Sequence, residues 1–309
     1  MHPTLSEGIF KILSGEQGRE FRRFLDSHSH ITKWMVAADF CFDRNFPNKT
    51  YAITLLPAST SYDEIIKKIK DSMPKDIKKI KTVSPLAIAI LNDEQFFHFG
   101  FVVNDPIAVF SGGEPDPKAY ALSTIEQLYD GVKAGASKES LKPFNTLLQE
   151  AKAKRFNLSA YCELMIFSAI VSGLLIFTSK FITLELVGIF PDRDTITIQH
   201  DRIYGELIRL SVDGYHINTG SRMPFEIKIG IPNTTGRLMW YDELIRMPDY
   251  IASFVSQWNM KDLPAADSKS SPIFYDSYVD SKNLLVFNVH HKDQMYIDFV
   301  TAKKQPPLP

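Results

Sequence analysis

Several aspartates stand in or directly against apolar runs, where a carboxylate is costly to place. Asp39 lies in the middle of "KWMVAADFCF", Asp192 and Asp194 follow "FITLELVGIFP", and Asp249 lies in "RMPDYIASFV". A buried carboxylate costs several kcal/mol unless something compensates it. Carboxylate oxygens are also the hard ligands that Mg²⁺ and Mn²⁺ require. Converging acids can hold two such ions, which activate a water and stabilise the leaving oxygen of a phosphodiester. Each acid has a plainer reading. Asp39 could face solvent in a hairpin or pair with Arg44 or Lys49, and Asp192 and Asp194 could be turn or N-cap residues. Asp249, directly after Pro248, could belong to an ordinary helix start.

The elements around these acids are legible from periodicity. In the first apolar run Trp34, Val36, Ala38, Phe40 and Phe42 form one face of a strand. Met35, Ala37, Asp39, Cys41 and Asp43 form the other, so the acid is on the less bulky side. A turn with Asn, Pro and Lys leads to a partner strand in "TYAITLLPA". A helix around "GREFRRFLDSH" precedes this hairpin, and "YDEIIKKIKDSM" after it has helical spacing up to Pro74. "QFFHFGFVVND" reads as a third strand, "SGGEPDPKAY" as a loop, and "ALSTIEQLYDGVKAG" and "SLKPFNTLLQEAKAKRF" as amphipathic helices.

The run "LMIFSAIVSGLLIFT", residues 164–178, carries no charge and is bounded by Glu163 and Lys180. A spanning helix needs about 20 apolar residues, so a core helix covered on several sides is expected, with no stable membrane insertion. "FITLELVGIF", 181–190, is a strand covered on both faces. A helix follows at 197–210, a strand "FEIKIGI" at 225–231, and a helix carrying "DELIRMPDYIASFVSQW". Beyond Lys261 the chain is irregular, with a strand pair in "LLVFNVHHKDQMYIDFV" and a frayed "KKQPPLP" end.

The 309 residues are 44% hydrophobic and 23% charged, which is the balance of a folded protein. Lys plus Arg (35) nearly equal Asp plus Glu (36), so no global positive field marks a nucleic-acid binder. Cys41 and Cys162 give neither a disulfide framework nor metal-ligand spacing. The start "MHPTLSEGIFKILSGEQGRE" lacks the basic and long apolar regions of a secretory signal, so a cytoplasmic chain is expected.

Three strands, helical insertions, then strand, helix, strand, helix is an order that resembles the ribonuclease H-like superfamily of nucleases and integrases. The resemblance implies a mixed α/β sheet, with antiparallel hairpin strands continued by parallel strands and helices on both faces. It is narrowest at "YDELIRMPDYIASFV", which is similar to the final helix of an uncharacterised branch with a "D-[LY]-I-A" segment. The superfamily places carboxylates on the first strand, at the end of the fourth and on the last helix. Carried over, these imply Asp39, Asp192 and Asp249 as catalytic metal ligands, Asp194 as a further ligand, and Mg²⁺ or Mn²⁺ as cofactor. The branch follows its first-strand acid with Glu, Ser and Gly. This chain has "ADFCFD", which leaves Asp39 and Asp43 as alternatives.

As domains, the resemblance implies a ribonuclease H-like unit over 1–260, with a helical insertion at about 60–155. Residues 261–309 would be a C-terminal extension packing on the domain or a partner. Its aromatic residues Phe274, Tyr275, Tyr278, Phe287 and Tyr296 suit either a second copy or the chain's own core.

Lys67, Lys68, Lys78 and Lys79 are the candidates for nucleic-acid contact, within a lysine run from 67 to 81 that also contains Asp71 and Asp76. A solvated helix face is the plainer reading. His200, Asp201 and Glu206 could turn toward the acids, and Arg193, Arg222, Arg237 and Arg246 could add charge there. "DSHSH" at 26–30 and "HH" at 290–291 lack zinc-ligand spacing. Two function classes lead, a metal-dependent nuclease-like hydrolase and an inactive binding or regulatory subunit of the same fold within a larger assembly; a membrane-associated protein anchored by residues 160–178 is the minor third.

Overall fold

The computed structural model describes residues 4–301 except 59–61, 75–76, 78–79, 136–137, 199–202, 221–222, 231–238, 261–270 and 280. Two helices lead in, α1 (Leu5–Ser14) and α2 (Arg19–Ser27). The α1 start is fixed by a capping box in which Thr4 and Glu7 satisfy each other's backbone N–H groups. The hairpin follows as β1 (Lys33–Cys41) and β2 (Thr50–Pro57). Next come α3 (Tyr62–Ser72), α4 (Pro85–Leu91) and β3 (Phe97–Val102). A helical stretch contains α5 (Pro106–Ser111), α6 (Pro117–Gly135), α7 (Lys138–Lys152) and α8 (Leu158–Phe181). The chain continues through β4 (Leu186–Pro191), α9 (Thr195–Ile198), α10 (Tyr204–Asn218), β5 (Glu226–Ile229) and α11 (Asp242–Gln257). A π-helical turn at Ile273–Tyr278 precedes β6 (Leu284–His291) and β7 (Met295–Phe299).

Among the described residues seven strands form one mixed sheet in the order β5-β4-β1-β2-β3-β6-β7. β1, β2 and β3 are mutually antiparallel neighbours. β4 runs parallel to β1, β5 parallel to β4, β6 parallel to β3, and β7 antiparallel to β6. Strict alternation splits the sheet residues between two cores. Trp34, Val36, Ala38 and Phe40 join the helices α1, α2, α8 and α10 on one face. Ala37, Ala52, Leu56, Phe190 and Val286 join α3, α4 and α11 on the other.

The helix expected around 164–178 is the centre of the larger core. It is long and apolar enough to cross a membrane, and 83% of its most apolar window is buried in the protein. Helices α1, α5 and α10 cover it, and the backbone of Ser6 comes within 3.1 Å of where a Cβ on Gly173 would lie.

Three helices have no counterpart in the sequence expectations. α1, α4 and α5 run 10, 7 and 6 residues, and the two shorter ones give periodicity little to work on. Both carry Pro at the first turn and a side-chain N-cap, Ser84 or Asp105. The strand pair expected in "LLVFNVHHKDQMYIDFV" is present as β6 and β7, which join the central sheet beside β3, with Leu284, Leu285, Val286, Phe287 and Val289 buried. Phe274, Tyr278 and Phe287 are spent on the chain's own core.

Candidate active site

Asp39 occupies the β1 position that pairs with Ala52 of β2. Ala52 in turn pairs with Gly100 of β3, and Gly100 with Val286 of β6. Paired residues share a face, so Asp39, Ala52 and Gly100 form a row of short side chains. Helix α11 lies over that row. A Cβ added to Gly100 would stand 3.1 Å from Val255 Cγ2 and 3.8 Å from Ile251 Cγ2. The small row thus lets α11 approach closely, and α11 is the element that carries Asp249.

The two acids meet. Asp39 is only 6% exposed, and its carboxyl is held well above the usual carboxylate range. Burial is the largest cause, followed by the negative charges of Asp249 and Asp192; a hydrogen bond with the Asp249 side chain acts in the same direction, and one from the Phe40 backbone opposes them. Two carboxyl groups can hydrogen-bond to each other only while one of them is protonated. Asp192 lies one residue past β4. Its N–H donates to the Ala38 carbonyl at 2.7 Å, continuing the Ala38–Pro191 register by one step. That step sets Asp192 alongside Asp39 on the neighbouring strand.

These placements displace the plainer readings of two of the acids. Asp39 does not face solvent, and Lys49 is ion-paired at 3.0 Å with Glu163. Asp249 is not at a helix start, since α11 begins at Asp242 and Pro248 is interior to it. Proline there removes the N–H that would bond to the Leu244 carbonyl, yet the helix continues to Gln257. Asp43 is exposed in the hairpin turn, where its Oδ1 accepts hydrogen bonds from the backbone and side-chain nitrogens of Asn45 at 2.9 Å. The acid facing α11 is therefore Asp39.

Asp194 follows the turn reading. Its Oδ1 accepts from the Ile196 N–H at 3.1 Å, and Thr197 Oγ1 accepts from its N–H at 3.0 Å. Burial raises its carboxyl, helped by Asp192 and Glu163 and opposed by N–H donors at Ile196 and Thr195. Glu163, which bounds the uncharged run in the sequence, belongs to this region as well. It is 9% exposed, and Ser159 Oγ donates to it at 3.2 Å. Burial raises the Tyr51 phenol on the sheet face opposite Asp39, and Glu163, followed by Cys162 and Asp194, adds to it. A lone acid in the first half of a helix whose only other charge is Lys180 in its last turn is the signal the sequence offers.

The remaining candidates scatter. Lys67 is exposed on α3, while Lys68 is ion-paired with Asp93. Lys78 and Lys79, with His200, Asp201, Arg222 and Arg237, lie outside the described residues. Glu206 is paired with Arg209, Arg193 is exposed, and buried Arg246 pairs with Glu243 and donates to the Met73 carbonyl. Among the described residues no group of three or more His, Cys, Asp or Glu side chains is arranged to hold a metal ion. Asp249 and then Asp192 are instead the charges that act on the buried Asp39. No protein-family model, curated protein or solved structure matches the chain.

Proposed function

We propose that the chain is a metal-dependent phosphodiester hydrolase of nuclease type, built on a ribonuclease H-like frame. The carrying observation is the contact between Asp39 and Asp249 in a buried place with Asp192 on the adjoining strand. The strand order supports the same reading, because the antiparallel β1–β3 unit is extended from β1 by parallel β4 and β5. Asp39 and Asp249 would hold Mg²⁺ or Mn²⁺ with Asp192 through their hard carboxylate oxygens, the metal offsetting the burial that now raises the Asp39 carboxyl. Asp194 would act from the adjoining turn. The bound ions would supply an activated water and charge stabilisation at the leaving oxygen. The protein's own part is to hold the carboxylates in a fixed, poorly solvated position between β1 and α11.

A second reading, an inactive binding or regulatory subunit, is favoured by the acids being engaged with each other and not grouped as a set of three. The experiment that separates the two is Mn²⁺ titration by calorimetry, followed by cleavage assays on DNA and RNA. Wild type would be compared with Asp39→Asn and Asp249→Asn. The hydrolase reading expects Mn²⁺ binding and cleavage that both variants lose while remaining folded. Wild-type protein that takes up no divalent ion and cuts nothing would leave only the scaffold.

A further inference from the structure

The chain contains three tryptophans. Trp34 and Trp258 are buried at 2% and 4% exposure, whereas Trp240 is 53% exposed. Exposure of so large an apolar ring is ordinarily accompanied by freedom to move, but this ring is clamped. Its centroid is 4.9 Å from Tyr62, 4.8 Å from Phe190 and 5.5 Å from Tyr241, each at an edge-to-face angle of 72°, 75° and 87° respectively. The Tyr62 hydroxyl donates to the Trp240 carbonyl, fixing the backbone as well. None of the three stacks parallel on the indole, and more than half of the residue stays exposed, so the ring is held in place while still accessible to another ring.

The position of this platform is tied to the acids by two separate elements. Phe190 pairs with Ala37 on the sheet face that also carries Asp39, and it lies two residues before Asp192. Trp240 comes just ahead of α11, and the helix rises about 10 Å from Asp242 to Asp249. That span corresponds to about two to three stacked nucleotides of one strand. Carboxylates of Glu243, Asp242 and Asp63 lie around Tyr62, so attraction here has to come from the ring face and not from phosphate contacts.

We propose that Trp240 is a stacking platform for an unpaired nucleobase, and that the strand presented to the carboxylates is single-stranded next to the scissile bond. This rests on the phosphodiester reading above and narrows its substrate class. A paired base inside a duplex offers no free face, whereas every unpaired base offers one.

Because Trp34 and Trp258 are buried, quenching of intrinsic fluorescence by a nucleic acid reports on Trp240. The full-length protein in Ca²⁺ is titrated with an oligothymidylate of about 15 nucleotides and with a blunt duplex of the same length. Binding is followed in parallel by anisotropy, and cleavage in Mn²⁺ on gels. The proposal expects quenching by the single strand and not by the duplex. Trp240→Ala should lower single-strand affinity about 10-fold or more, with Trp240→Phe retaining most of it. The stacking component should persist at high salt, where phosphate contacts weaken. Single strand bound or cut without quenching, or with unchanged affinity in a folded Trp240→Ala protein, overturns the platform and leaves the phosphodiester reading standing. If neither strand form is bound or cut with Mg²⁺, Mn²⁺ or Ca²⁺, the phosphodiester reading falls and takes the platform with it.

Discussion

Asp39 keeps its proton more firmly than an ordinary aspartate because ionising it would bury a charge beside Asp249 and Asp192. The consequence for stability has a definite sign. An unfolded aspartate releases its proton at about pH 3.9, while the folded site releases it higher. Between those limits the folded state binds the extra proton, so stability falls as pH rises through the window. Calorimetry of metal-free protein should therefore show Tm decreasing from about pH 4 upward until the Asp39–Asp249 pair has titrated as a unit. Asp39→Asn should remove that slope and raise the neutral-pH Tm by at least about 2 °C. A variant that melts lower than wild type without metal would mean that Asp39 supports the fold in its own right. Added Mn²⁺ should raise the Tm of wild type and leave Asp39→Asn unmoved.

At the scale of elements, the fit of α11 on the sheet governs whether the acids meet at all. Gly100 is the tight point, with Val255 and Ile251 directly above it. Gly100→Val should push the helix away, costing about 1–3 kcal/mol by overpacking. It should also weaken Mn²⁺ stabilisation, although the residue lies two strands from Asp39. Chemical denaturation with and without Mn²⁺ measures both effects, and an unchanged metal response would uncouple the helix seat from the site. Gly131 is the opposite case. It lies inside α6 with nothing within 4 Å of a new Cβ. Gly131→Ala should stabilise by about 0.5–1 kcal/mol through helix propensity alone, with the same metal response as wild type.

For the whole molecule, one sheet spans the chain from β1 to β7. Removing residues 284–309 would strip two strands, expose the β3 edge and uncover Phe99 and Phe101, whose rings lie 6.4 and 5.3 Å from Phe287. Such a truncation should fail to give a cooperative unfolding transition, where a dispensable extension would be lost without effect; circular dichroism during thermal melting distinguishes the two. The apolar helix α8 belongs to this scale too. Its surface is covered by α1, α5 and α10, so its hydrophobicity is used inside the protein.

Alternation and helical spacing were enough to place β1 through β5, α8 and α11 in order, and to put Asp39 on the lighter face of its strand, because those signals are local along the chain. They could not set the register that brings Asp192 beside Asp39. Nor could they show that Pro248 lies inside α11, or that Gly100 makes room for Val255 and Ile251 of that helix. The short helices α4 and α5 were missed for want of length, and the role of β6 and β7 because strand pairing joins residues far apart in sequence, as with His98 and Leu284. Residue types and periodicity thus determined which elements exist and which acids are chemically costly. Only packing in three dimensions decided which of those acids lie close enough to raise one another's carboxyl, since the cost of burying a charge depends on neighbours that the chain order does not name.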